Sequence, residues 1–341
     1  MQEKVTSCRS ATGEVAFDLV LLGVSLNNSI ATTNVVEVAA AVLEKPDGTF
    51  LLAQRPTGKM WAGYWEFPGG KLEPFETARD ALCRELKEEL GITVEIAYPW
   101  ITRVFTYPHA KVRLNFFRVT QWRGELHPHE GQQFSWQHSS EVAVHPLLPA
   151  NAPILRALQL PVLYAISNAA ELGEVEFLIR LQARLSQGLK LVQLREKSMP
   201  REALGMLARR VVAMAHAYSA KVLINDDVAL AHEVGADGVQ LTSSQLAECT
   251  ERPDIGWCAA SCHSKEELRR AEKLGCDFAL LSPVLPTQTH PGAASLGWDR
   301  FATMVAGLSI PVYALGGLNQ AGMEKAWQHG AHGVSLLRDA W

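Results

Sequence analysis

A chain of 341 residues is long for one domain and comfortable for two. Apolar residues make up 48% of it and charged residues 20%, an ordinary globular composition with ample core. A net charge of −4 and the lack of any Lys/Arg run argue against a nucleic-acid polymer as partner.

The six cysteines are scattered, with no CxxC pair, which suits reduced thiols in the cytoplasm better than a zinc site or a disulfide framework. In residues 1–33 the one apolar run, "VAFDLVLLGVSL", is too short for a membrane span and contains Asp18. That stretch is expected to be a poorly ordered extension or a product of start-site choice, with no membrane as partner. From Val35 the pattern turns strand-like, and "VVEVAAAVL", "KPDG" and "TFLLAQR" read as a hairpin. Two further β-rich runs, "VEIAYPWITRVFTYP" and "KVRLNFFRVTQW", follow an acidic helical stretch, giving a mixed sheet with an inserted loop–helix–loop. Around His145 to Pro161, "HPLLPANAPILRALQLP" carries four prolines and reads as a stiff connection between domains. Beyond Pro161, eight short strands alternate with seven helical connections. That rhythm points to a compact (β/α)8 barrel, with an open doubly wound sheet as the alternative. The expected domains are therefore 34–160 and 161–341.

In the helical stretch, Glu85, Glu88 and Glu89 share one face, where like charges repel unless something positive sits among them. Reading from Gly70, five residues lead to Glu76, seven more to Arg84-Glu85-Leu86, then one to Glu88-Glu89 and one to Gly91-Ile92. Every fixed position of the 23-residue Nudix box is matched, and Val35 to about Pro161 resembles the Nudix hydrolases. The expected fold of this half is an α/β/α sandwich. The three glutamates offer hard oxygen ligands suited to Mg2+, with Mn2+ as a substitute, which would polarise a pyrophosphate and supply a hydroxide. The resemblance assigns a metal-binding carbonyl to Gly69, while Arg84 is expected to hold the carboxylates and Gly91 to end the helix.

The flanks resemble the 8-oxo-dGTP diphosphatase branch of that family. By this resemblance Arg55 contacts the base, Phe67 belongs to the substrate site, Glu130 in "HEGQ" supplies a further metal ligand or general base, and Asn151 reads the oxidised purine.

In the second half, "QLREK", "INDD", "GADGVQL", "SPVLPTQT", "ALGG" and "GAHGVSLL" occur in an order that resembles thiamine-phosphate synthase and its relative the thiazole tautomerase. The residues implied are Gln193, Arg195, Lys197, Asn225, Thr287 and Thr289 for substrate, and Asp226 for metal. Gly316, Gly317 and Ser335 would form a phosphate cradle, and His263 in "SCHS" would shuttle a proton. Two positions depart from the pattern: Gln245 stands where a second carboxylate is expected, and His290 where a lysine is expected. Losing both charges weakens a pyrophosphate site.

These readings converge on a cytoplasmic, Mg2+-dependent nucleoside triphosphate pyrophosphohydrolase. Its substrate would be 8-oxo-dGTP, in nucleotide-pool sanitation, and its barrel would be related to thiamine-phosphate synthase. Two rivals remain: hydrolysis of a thiamine-pathway pyrophosphate, and a hydrolase adjusted by a barrel that senses thiamine-pathway phosphates without catalysis.

Overall fold

The computed structural model describes residues 35–108, 110–129, 131–287 and 294–341. The extension expected at residues 1–33, together with Glu130, Thr289 and His290, lies outside the described residues. Among the described residues, no helix is long and apolar enough to cross a membrane.

The first region is built on β1 (Val36–Leu43), β2 (Thr49–Gln54), β3 (Trp65–Glu66), β4 (Gly69–Lys71), α1 (Ala78–Leu90), β5 (Thr93–Tyr107), β6 (Ala110–Arg123), β7 (Phe134–His138) and α2 (Ala152–Ala157). The expected hairpin of β1 and β2 forms only at its tip, where Glu44 bridges Phe50. Beyond that point the two strands part into separate sheets, ordered β4-β1-β6-β5 and β3-β2-β7. Alternation along β1 explains why the strand is better placed at the centre of a sandwich. Ala39, Ala41 and Leu43 join Ala81, Leu82, Leu86 and Leu90 of α1 in one core. Ala40 and Val42 face the opposite way, into a second core with Ile154, Leu155 and Ala157 of α2. Both faces are apolar, so both are covered by a helix.

The Pro-rich segment is therefore not a connector alone, as its prolines suggest. Trp65 donates its N–H to the Pro146 carbonyl and Leu148 donates back to the Trp65 carbonyl, at 2.8 and 3.0 Å. Its helix, α2, is part of the first region's core.

The second region is a closed barrel of eight parallel strands. They are β8 (Leu163–Ile166), β9 (Leu191–Leu194), β10 (Lys221–Asn225), β11 (Gly238–Leu241), β12 (Trp257–Cys262), β13 (Phe278–Leu281), β14 (Val312–Leu315) and β15 (Gly333–Leu336). A helix lies in each crossover, and one shows how local sequence sets it. Ser264 and Glu267 form a reciprocal capping box, and Gly275 closes the same helix in the left-handed conformation. The barrel interior is plugged by Tyr164, Phe278 and Tyr313, whose ring centroids lie 5.3–5.7 Å apart.

The two regions pack against each other at the N-terminal ends of barrel strands. Register shifts in β5 around Pro99 release the Thr102 N–H, which donates to the Leu308 carbonyl at 2.9 Å. Arg118 is clamped by Glu44 at 2.6 and 3.0 Å and donates to the His332 carbonyl at 3.3 Å. From α2, Arg156 donates to Asp277 at 2.5 Å and to the Gly256 carbonyl at 2.6 Å. His332 is fully buried at this junction, its Nε2 2.9 Å from the Leu160 carbonyl.

Candidate active sites

Thr77 begins α1 by accepting the Asp80 N–H at 3.2 Å, and Gly91 ends it at φ 74°. Between these caps Arg84 turns back to the loop before the helix. It meets both oxygens of Glu76 at 3.0 and 2.9 Å, Glu85 at 2.9 Å, Glu88 at 3.2 Å and the Lys71 carbonyl at 3.0 Å. The guanidinium is the positive group among the acids, and it holds the Glu76 carboxyl below its ordinary pKa.

Glu85 and Glu89, one turn apart, line a cleft of about 490 Å3 together with Gly69, Gly70 and Lys71. The double glycine is a steric requirement. A Cβ on Gly70 would fall 2.1 Å from the Glu85 carboxyl carbon, and one on Gly69, at φ 143°, would fall 2.1 Å from the Ala39 carbonyl oxygen. The loop before β7 is tied to the end of α1, since His127 donates to the Leu90 carbonyl at 3.0 Å and Gln132 to the Glu89 carbonyl at 3.3 Å.

The far part of the cleft is walled by Arg55, Lys59, Trp61, Glu66, Tyr107 and Leu148. Arg55 donates to Glu66 at 2.5 Å and to the Met60 carbonyl at 2.7 Å. Burial raises the Glu66 carboxyl pKa, against the pull of Arg55.

In the barrel, a cavity of about 700 Å3 opens at the C-terminal ends of the strands, where barrel chemistry is kept. Gln193, Arg195 and Lys197 line it from β9, Asn225 from β10, Ser261 and His263 from β12, Thr287 after β13, Gly316 and Gly317 from β14 and Ser335 from β15. Both glycines have positive φ, 103° and 66°, and a Cβ on Gly317 would fall 2.4 Å from the Pro286 carbonyl oxygen. His263 has Nδ1 2.9 Å from the Ser282 carbonyl, which fixes Nδ1 as the donor and leaves Nε2 as the acceptor of a neutral ring. Beneath the cavity, Gln193 donates to Tyr164, Tyr164 to Gln240 and Gln240 to Ser261, at 3.2, 3.3 and 3.1 Å.

Residues 163–340, just over half the chain, match the family model described as thiamine monophosphate synthase. The chain belongs to that family. Residues 39–157 match the NUDIX domain model, so a Nudix domain precedes the synthase-family barrel in one chain. The barrel is 31% identical over 179 residues to a thiamine-phosphate synthase of Desulfitobacterium hafniense, a match covering 51% of this chain and 86% of that protein. The Nudix domain is 42% identical over 122 residues to the CTP pyrophosphohydrolase of Escherichia coli, covering 36% of this chain and 90% of that protein. It is also 42% identical over 96 residues to the 8-oxo-dGTP diphosphatase of Proteus vulgaris, covering 28% and 86%.

Within the Nudix cleft, three expected residues stand elsewhere. Glu88 is turned to Arg84 with 60% of its side chain exposed, and it does not line the cleft. Phe67 is a core residue, its ring 5.8 Å from Phe50 and 5.7 Å from Phe116. Asn151 is buried with its amide donating to the Trp65 carbonyl at 3.3 Å, so the cleft wall here is Leu148. Among the described residues no three His, Cys, Asp or Glu side chains gather as a metal-holding group.

In the barrel, Asp226 sits at φ 57° beside the cavity and does not line it. Burial and the like charge of Asp227 raise its pKa, opposed by Lys197 and Arg195. Gln245 caps its own helix with Thr242 and donates to the Asp226 carbonyl at 2.6 Å.

Lys59, Trp61 and Tyr107 of the cleft and Tyr164 of the barrel lie outside the motifs, while Lys71 in the Nudix box, Gln132 in "HEGQ", Gln240 in "GADGVQL" and Ser261 in "SCHS" lie inside them without being singled out. Glu196 is likewise hidden inside "QLREK", where it accepts the Ser167 hydroxyl at 2.6 Å and the N–H groups of Ala169 and Ala170 at 2.8 and 2.9 Å.

Proposed function

We propose that the Nudix domain hydrolyses nucleoside triphosphates to the monophosphate and pyrophosphate, with 8-oxo-dGTP as first substrate and CTP as its competitor. The observation that carries this reading is the pairing, in one cleft, of Glu85, packed on Gly70, and Glu89 with an aromatic and arginine-bearing wall.

A divalent cation fits the acidic end. Glu85, Glu89 and the Gly69 carbonyl are hard oxygen donors, and Mg2+ keeps several waters and shares phosphate oxygens. Its role there is to polarise the anhydride and lower the pKa of a water, a role that Mn2+ also fills. The chain's own residues do the rest. Arg84 fixes the Glu85 carboxylate beside the substrate, Lys71 offsets phosphate charge at the same end, and Arg55 meets the nucleoside. Glu130 is the further acid expected to help activate the water.

For the barrel, the cavity supports condensation of a pyrimidine pyrophosphate with a thiazole phosphate, the phosphate meeting Gly316, Gly317 and Ser335. A second reading, a slow barrel that binds thiazole phosphate as a sensor, is favoured by Gln245, whose amide is engaged in capping. Buried, unpaired thiols at Cys258, Cys262 and Cys276 support a cytoplasmic setting.

The test is pyrophosphate release by the full-length chain with Mg2+ from 8-oxo-dGTP, dGTP, CTP and the pyrimidine pyrophosphate, beside thiamine phosphate formation. Turnover of the pyrimidine pyrophosphate alone would replace the nucleotide reading.

A further inference from the structure

Trp61 combines three features that folding alone does not require. Its φ of 62° is a left-handed conformation that a side chain of this size rarely adopts. Its indole Nε1 is buried with no hydrogen-bond partner, whereas folded proteins pair nearly all such donors. Its ring borders the Nudix cleft, edge-on to Tyr64 at 5.0 Å and tilted against Tyr107 at 6.1 Å. Phe105 packs against Tyr107 with ring centroids 4.7 Å apart.

The loop does not need tryptophan to close. Its backbone bonds run from Ala62 to the Lys59 carbonyl and from Tyr64 to the Trp61 carbonyl, both 3.1 Å, and from Gly63 to the Arg55 carbonyl at 2.9 Å. Gly58 and Gly63 take their positive φ, 88° and 85°, at no steric cost, and a glycine or asparagine at 61 would do the same. Arg55 also holds the loop by its bond to the Met60 carbonyl while pairing with Glu66, which ties the loop to the charged pair.

We infer that Trp61 recognises the nucleobase: Nε1–H, in the plane of the ring, donates to a carbonyl oxygen at the edge of the base. The inference rests on the nucleotide reading above and narrows it to oxo-substituted bases such as guanine, 8-oxoguanine and cytosine. Adenine has no carbonyl oxygen and gains only contact with the ring edge.

The experiment uses the full chain as wild type, W61F and W61A, with steady-state pyrophosphate release from 8-oxo-dGTP, dGTP, CTP and dATP. Inorganic tripolyphosphate, which has no base, serves as a competitive inhibitor. W61F keeps a ring but loses the N–H, so KM should rise roughly tenfold for the three oxo-base nucleotides and stay within about twofold for dATP. W61A should raise KM for all four, with kcat and the tripolyphosphate inhibition constant unchanged. Equal effects of W61F on dATP and the oxo bases, unchanged KM in both variants, or weakened tripolyphosphate inhibition would overturn the inference while leaving the hydrolase reading in place. Failure of the wild type to turn over or bind any nucleotide overturns both.

Discussion

The Nudix cleft and the barrel cavity differ in where their polar groups come from and in what holds them. The acidic end of the cleft is drawn from one continuous stretch, Gly69 to Glu89, and its order rests on the five donor contacts of Arg84. The cavity collects single residues from many strand ends over a fully buried chain of hydrogen bonds through Tyr164 and Gln240. Even the glycines differ. Gly70 makes room for a carboxylate, whereas Gly317 makes room for a backbone carbonyl. A side chain at a site edge yields when crowded, and a backbone does not. The cleft should therefore lose activity before stability, and the cavity should lose both together.

The largest expected effect tests the cleft's acids. Glu85→Gln and Glu89→Gln should each lower kcat for pyrophosphate release by roughly a thousandfold, about 4 kcal/mol of barrier. Glu88→Gln, whose carboxylate faces Arg84, should stay within about tenfold. A Glu88 variant as impaired as the other two would add that residue to the proposed metal ligands.

Next is the junction that both sites share. Arg118→Met leaves Glu44 partly buried without its partner and should cost about 3 kcal/mol. Because Arg118 also binds the His332 carbonyl, calorimetry should record one lowered transition for the whole chain. Two separated transitions would mean that the regions unfold independently.

The glycines put the comparison most directly. Gly317→Ala forces a strained φ and a clash with the Pro286 carbonyl, and should lower stability by about 2–3 kcal/mol. Gly70→Ala should leave the denaturation midpoint almost unchanged and still cut hydrolysis at least roughly tenfold, since it displaces the Glu85 carboxyl. Equal midpoints for the two variants would erase the distinction.

The smallest effect is a pH dependence. Burial beside Arg118 pushes His332 down to about 3 from an ordinary 6.5. The unfolded chain then binds the proton more readily than the folded one, so stability present above pH 6.5 is lost as pH falls. About 2 kcal/mol should be gone by pH 5. His332→Gln, which keeps a donor for the Leu160 carbonyl, should flatten that slope.

How much was legible in the sequence follows from the same contrast. Contiguity made the Nudix acids readable, because helical spacing alone puts Glu85 and Glu89 on one face. The barrel rhythm was readable too, since alternating short apolar runs and helices leave few other topologies. The inward turn of Phe67 is less legible, because its neighbours Glu66 and Pro68 line the cleft while period-two alternation points Phe67 itself into the core. Spacing puts Glu88 on the same face as Glu85 and Glu89, but it does not say that Glu88 stays exposed outside the cleft while the other two line it. The parting of β1 from β2 depends on helices covering both faces of β1, and α2 lies more than a hundred residues away in the chain. Tyr164 and Gln240 were silent because a buried hydrogen-bond chain across strands leaves no local pattern.

The packing of the Nudix domain beneath the barrel strands has a kinetic consequence. Leu308, Asp277 and His332 lie at the N-terminal ends of the strands, while the cavity opens at their C-terminal ends. A molecule leaving one site is diluted into bulk solvent before it can meet the other, and tethering gives it no higher local concentration. What the fusion guarantees is equal dosage: each ribosome that finishes a hydrolase has also made one barrel. Two chains, each disabled at a different site, should together match an equal number of intact half-sites, with no lag gained or lost.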